Sequence, residues 1–181
     1  MEDGYFSRIA VPRAVNAVAA GRSLRFCPPV GVHADLAPLI ERRLLVWCEA
    51  ACVLPAHLSV VLVGHGSARA PGRVTATHTH ATWLSERGRF AAVQVAFLEE
   101  APFAPDVLTA ARDHPVVVVG MFAHAGRHAR NDMSDIISAE NALRAVAIAD
   151  LGFVGDDPGM RPIILDQAGL SRAEDGSGGR I

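Results

Sequence analysis

A chain of 181 residues, half of them apolar and a fifth charged, has room for one ordinary globular core. The formal net charge of −2 excludes the electrostatic footprint of a nucleic-acid binder, and the apolar runs are too short to span a bilayer. All 17 basic residues are Arg, which excludes Schiff-base and phosphate-loop lysines and leaves Arg as the permanent cation for a carboxylate-rich ligand.

The chain starts MEDGYFSR, an acidic stretch without the basic-then-apolar order of a signal peptide, so a cytoplasmic protein is expected. Three cysteines, an odd number, argue against a disulfide framework. SLRFC (23–27) reads as a strand. After Asp35, Leu36, Ile40, Leu44, Trp47 and Ala51 recur at helical spacing. Cys48 and Cys52 fall on the same face and read as buried thiols rather than cluster ligands.

Four near-continuous apolar runs follow: LSVVLVG (58–64), AAVQVAF (91–97), PVVVVGM (115–121) and AVAIADLGF (145–153). Runs of this kind suit parallel strands covered on both faces. Between them, residues 73–87 place Val74, Thr77, Ala81 and Leu84 on one helical face, ending at Gly88. Residues 104–113 start with Pro105 and Asp106 and turn Val107, Leu108 and Ala111 inward. Residues 131–143 form a third helix. The alternation predicts a parallel-sheet α/β sandwich with an additional N-terminal strand–helix unit. Residues 1–56 form that unit, 57–170 the main α/β unit, and the Gly/Ser-rich tail 171–181 is expected to be disordered. A faint repeat lays residues 4–21 on 126–143, with Phe6 where His128 stands.

Chemistry-bearing residues collect where the strands end. VGHGSARAPG (63–72) puts His65 between two glycines after a strand, with Ser67, Arg69 and Arg73 beyond it. Ligands of open parallel sheets bind at these carboxyl ends. The next strand ends in AFLEEAP, and alternation lets only one of Glu99 and Glu100 face the cleft. The third ends in GMFAHAGRHARND, where His124 and His128 are spaced i, i+4 beside Arg127, Arg130 and Asp132. The two imidazoles share one side if the segment is helical, and need not if it is a loop. Neutral imidazoles with a carboxylate suit a borderline divalent ion such as cobalt, nickel, ferrous iron or zinc. His78 and His80 lie two apart in THTHATW and are expected at surface or groove positions. Ser67 lacks the G-x-S-x-G context of a hydrolase nucleophile. His33 and His114 sit at element boundaries and need no function.

GHGS after a strand, then AFLE, then a Val-rich strand running into F-x-x-x-G-x-H-x-x-x-D, resembles the sirohydrochlorin chelatases, the class II, CbiX-like enzymes of cobalamin and siroheme pathways. The match covers about residues 58–152, and RFCPPVGVHADLAPLIERR (25–43) is similar to the strand–Gly–helix that closes a family half-domain. The resemblance implies a fold of parallel α/β halves and ATP-independent insertion of a divalent metal into sirohydrochlorin, with cobalt expected first, then iron and nickel. It implies metal-binding histidines at His65 and His128, a catalytic glutamate at Glu99 and a further acidic residue at Asp132. His124 is an additional candidate ligand, departing from the usual apolar residue. Ser67, Arg69, Arg73, Arg127 and Arg130 are candidates for the tetrapyrrole carboxylates. No cofactor is expected beyond the substrate metal. Short family members pair as homodimers, so a homodimer or a partner half-domain is expected, with no nucleic acid or membrane partner. The alternative is a non-catalytic metal- or tetrapyrrole-binding protein, or one subunit of a split chelatase.

Overall fold

The computed structural model describes residues 6–69, 72, 75–111, 114–124 and 127–170, with backbone alone for Phe6 and residues 127–129. The tail 171–181 lies outside them. Four strands, β1 (Ser59–Gly64), β2 (Ala92–Phe97), β3 (Val116–Gly120) and β4 (Ala149–Phe153), form one sheet in the order β2-β1-β3-β4. All neighbours are parallel, with Ser59 paired to Ala92 on one side and to Val116 on the other. Every residue of β1 and β3 is buried. This is why the two central strands read as unbroken apolar runs rather than as alternating ones.

Helices cover both faces. On one, Val60, Leu62, Val117 and Val119 pack against α2 (Leu36–Ala50), α3 (Ala76–Glu86) and α6 (Met160–Gln167). On the other, Val61, Val63, Val116 and Val118 pack against α4 (Ala104–Ala110) and α5 (Arg127–Asn141). Leu36, Ile40 and Leu44 supply the fully buried stripe of α2. Polar ties link neighbouring elements. Glu41 of α2 accepts from Arg87 Nε at 2.7 Å and lies 3.1 Å from Arg89 Nε, at the far end of α3. Arg43 of α2 reaches Asp157 at 3.2 Å and the Leu151 carbonyl. Burial pulls its guanidinium below the ordinary arginine value, opposed by Asp157, Asp150 and Asp156. Arg144 donates to the carbonyls of Leu108 at 2.9 Å and Ala111 at 2.8 Å, satisfying the end of α4.

Three sequence expectations are corrected. Residues 22–29 carry no strand. A strand needs a neighbouring strand, and 23–27 pairs with neither edge of the sheet. The segment instead docks on the end of α6, where Arg25 donates to the Ala168 carbonyl and Gln167 Nε2 donates to the Pro28 carbonyl at 3.1 Å. His80 is 3% exposed rather than at the surface, and its Nε2 donates to the Gly31 carbonyl at 2.7 Å. Cys52 is exposed, unlike Cys48. The helix stops at Ala50, and Cys52 takes φ 53° in a Schellman closure, with Cys52 N–H on the Glu49 carbonyl and Val53 N–H on that of Cys48.

Ahead of this unit, α1 (Val11–Val18) buries no residue and leaves Val11, Val15 and Val18 exposed, with Ile9 exposed just before it. No helix among the described residues is long and apolar enough to cross a membrane.

Burial raises the pKa of the Cys48 thiol, so its neutral, unreactive form is favoured in the fold. A maleimide is therefore expected to modify Cys27 and Cys52 in the native protein and Cys48 only after denaturation, as read by peptide mass spectrometry. Rapid native labelling of Cys48 would contradict the packing of α2.

Candidate functional site

The chain leaves β1 toward α3 on one face and leaves β3 toward α5 on the other. Adjacent strands whose connections part in this way open a crevice beyond their carboxyl ends. His65 follows β1, and His124 and His128 follow β3, so the topology sets the chemistry-bearing residues around that crevice.

Two glycines shape the turn out of β1. A Cβ on Gly64 would lie 2.9 Å from the Phe97 ring. Gly66 has φ +79°, and a Cβ there would lie 2.8 Å from Glu100 Cγ and 3.0 Å from its backbone nitrogen. Only glycine combines that conformation with that approach. The His65 carbonyl accepts from the N–H groups of Leu98 at 3.2 Å and Glu99 at 2.9 Å. These bonds hold the end of β2 beside the histidine, with Glu99 Oε2 3.7 Å from His65 Nδ1. Both side chains are open to solvent, at 57% and 54% exposure. Glu100 takes the opposite side and is 4% exposed.

A second histidine–carboxylate pair stands across the crevice. His124 Nδ1 is 3.6 Å from Asp156 Oδ1, and Arg130 Nη2 is 3.6 Å from Asp156 Oδ2. Between the two pairs lie buried aromatic rings: Phe122 meets the His65 ring at 6.3 Å and Phe153 edge-on at 5.3 Å, and Arg130 lies 5.8 Å over Phe153. His124 precedes the first residue of α5, so one helix does not present both His124 and His128. His128 and Arg127 occupy the first turn of α5; their side chains, and Arg73, lie outside the described residues. Ser67 is half-buried; Arg69 and Asp132 are exposed. Among the described residues no three His, Cys, Asp or Glu side chains gather to hold a metal ion. The described ligand candidates come as two pairs.

Asp156 belongs to none of the motifs above. Its signal was the strand-end position of VGD directly after β4, the same placement that marked His65 and Glu99. Two open grooves of about 540 and 520 Å³ lie along α3, both lined by His78, Thr82 and Glu86. Neither is lined by His65, Glu99 or His124.

A parallel sheet with histidines and carboxylates set around its carboxyl edge defines a chelatase-like α/β protein. The family model of CbiX matches residues 59–169, and the chain belongs to the CbiX family. A probable sirohydrochlorin cobaltochelatase of Halobacterium salinarum is 27% identical over an alignment of 205 residues, covering 93% of this chain and 68% of that protein. A solved structure of CbiX, described as the terminal enzyme for biosynthesis of siroheme in denitrifying bacteria, superposes with a TM-score of 0.78 at 27% identity. That match covers 96% of this chain and 73% of the other. SirB from Bacillus subtilis, solved with Fe3+, shares the fold at a TM-score of 0.75 and 18% identity, over 95% of this chain and 68% of its own.

Proposed function

We propose that this protein is a cytoplasmic, ATP-independent sirohydrochlorin chelatase that inserts a divalent metal, cobalt before iron or nickel. The observation that carries the proposal is the His65–Glu99 pair, 3.7 Å apart at the switch point of the sheet, in a chain of the CbiX family.

Insertion exchanges one divalent cation for two pyrrole protons. It needs ligands that hold the metal without burying it, and a base beside them. His65 and His128 supply borderline imidazole nitrogens for the incoming metal, and His124 adds a further nitrogen across the crevice. Glu99, exposed and held beside His65 by its own backbone N–H, accepts a pyrrole proton directly or through water. Arg69, Arg73, Arg127 and Arg130, with the Ser67 hydroxyl, bind the carboxylates of the macrocycle, since guanidinium groups match carboxylates bidentately. Phe122 and Phe153 give the crevice an apolar floor against which a flat ring can lie.

The working unit in this proposal is a homodimer. Val11, Val15 and Val18 on α1, with Ile9 before it and Leu24 and Phe26 after it, leave apolar surface exposed on the N-terminal unit, and two-fold dimers are the commonest assemblies. The test is an anaerobic absorbance assay of sirohydrochlorin with cobalt, iron or nickel, on a sample whose mass is read by light scattering. Many equivalents of cobalt product per chain, from a dimer, are expected. Metallation that stops at one equivalent would overturn the enzymatic reading.

A further inference from the structure

Glu100 is a buried titratable group that the proposed chemistry leaves unused. It follows Glu99 at the end of the edge strand β2 and is 4% exposed. Its Oε2 accepts the backbone N–H of Gly72 at 2.8 Å, in the connection from β1 to α3 that begins with His65. Its Oε1 is buried and has no hydrogen-bond partner among the described residues. The same side chain fills the space beside Gly66, where a Cβ would come within 2.8 Å of Glu100 Cγ. Glu100 therefore touches the connection at two places: at Gly66, next to the histidine, and at Gly72 six residues on.

A buried carboxylate with one oxygen unmet is costly to fold around. An apolar side chain of similar size would fill the same space at no such cost. What the carboxylate adds is an acceptor for the Gly72 N–H, joining the end of β2 to the connection that leaves β1. We infer that Glu100 is a positioning residue: it latches the chain leaving β1, at Gly66 and at Gly72, to the end of β2 and so fixes where His65 stands. Its effect on metal rests on the chelatase reading above; the latch itself does not. Groups behind a metal ligand set its orientation, and losing one typically weakens metal binding about 10–100-fold.

Two substitutions separate positioning from general packing. Glu100→Gln keeps a carbonyl oxygen for the Gly72 N–H and drops the charge, so amide exchange at Gly72 is expected to fall between those of the wild type and Glu100→Leu. Glu100→Leu keeps the bulk and removes the acceptor. It is expected to melt at or above the wild-type temperature while Gly72 exchanges about 10-fold faster, the loss of one charge-assisted hydrogen bond. Its affinity for Co2+ alone, by calorimetric titration, is expected to fall about 10-fold. Stability and metal affinity moving in opposite directions is a result that a merely structural residue does not give. Wild-type exchange at Gly72 in Glu100→Leu overturns the latch. So does a Glu100→Leu chain that fails to fold, because a latch is dispensable to the core. A wild-type protein that binds no Co2+ would count against the chelatase reading, and the exchange data would still decide the latch.

Discussion

Replacing Glu99 with Gln is expected to lower sirohydrochlorin metallation about 10²–10⁴-fold, the range associated with losing a general base, while KM and thermal stability stay near wild type. The side chain is half exposed and reaches His65 only at 3.7 Å, so an isosteric amide disturbs no packing. The backbone bond from Glu99 N–H to the His65 carbonyl is also untouched. The substitution therefore removes the proton acceptor and little else. His65→Ala should behave differently, weakening Co2+ binding, whereas His78→Ala, on the α3 grooves beside Phe97, should leave it unchanged. Steady-state rates with cobalt, paired with cobalt titrations, distinguish the two effects. Turnover within threefold of wild type in Glu99→Gln would remove that residue from the mechanism.

Gly155→Ala is expected to be the most damaging of the small substitutions in this protein. A Cβ at Gly155 would sit 2.0 Å from the carbonyl oxygen of Ala123 and 2.6 Å from that of Phe122. Gly155 N–H donates to the Phe122 carbonyl at 3.0 Å, so the segments leaving β3 and β4 meet backbone to backbone. No rotamer relieves such a contact, and the two segments must move apart. Overpacking of this kind costs about 1–3 kcal/mol or more. For a chain of this size, that lowers the melting temperature by roughly 2–12 °C. The strain falls between His124 and Asp156, so the second histidine–carboxylate pair should open as well. Gly152→Ala is the control: its φ of +67° strains an alanine, but nothing lies within 4 Å of the added carbon. A smaller loss, on the order of 1 kcal/mol, is expected there. A Gly155→Ala protein that melts with the wild type would show that the two segments do not touch.

The main sheet was legible in the sequence because its central strands are buried on both sides. LSVVLVG and PVVVVGM read as strands within a residue of Ser59–Gly64 and Val116–Gly120, since residues covered on both faces must be apolar at every position. Helix α2 was legible from its buried stripe, and His65 and Glu99 were placed at strand ends by local order alone. Alternation let only one of Glu99 and Glu100 face the cleft, and the fold leaves Glu99 open and buries Glu100. These are properties of neighbouring residues, which the order of the chain fixes. The remainder depended on partners far along the chain. SLRFC has the composition of a strand but pairs with no strand of the sheet, so it docks on the end of α6 instead. His80 sits inside because a carbonyl 49 residues away accepts its proton. Cys52 points out because the helix closes before it. Asp156 meets His124 because β3 and β4 are adjacent, and Glu100 meets Gly72 across 28 residues. Pattern specifies which face of an element is apolar; only the packed fold decides which polar groups that face brings together, because each buried donor or acceptor must find whatever partner the topology sets beside it.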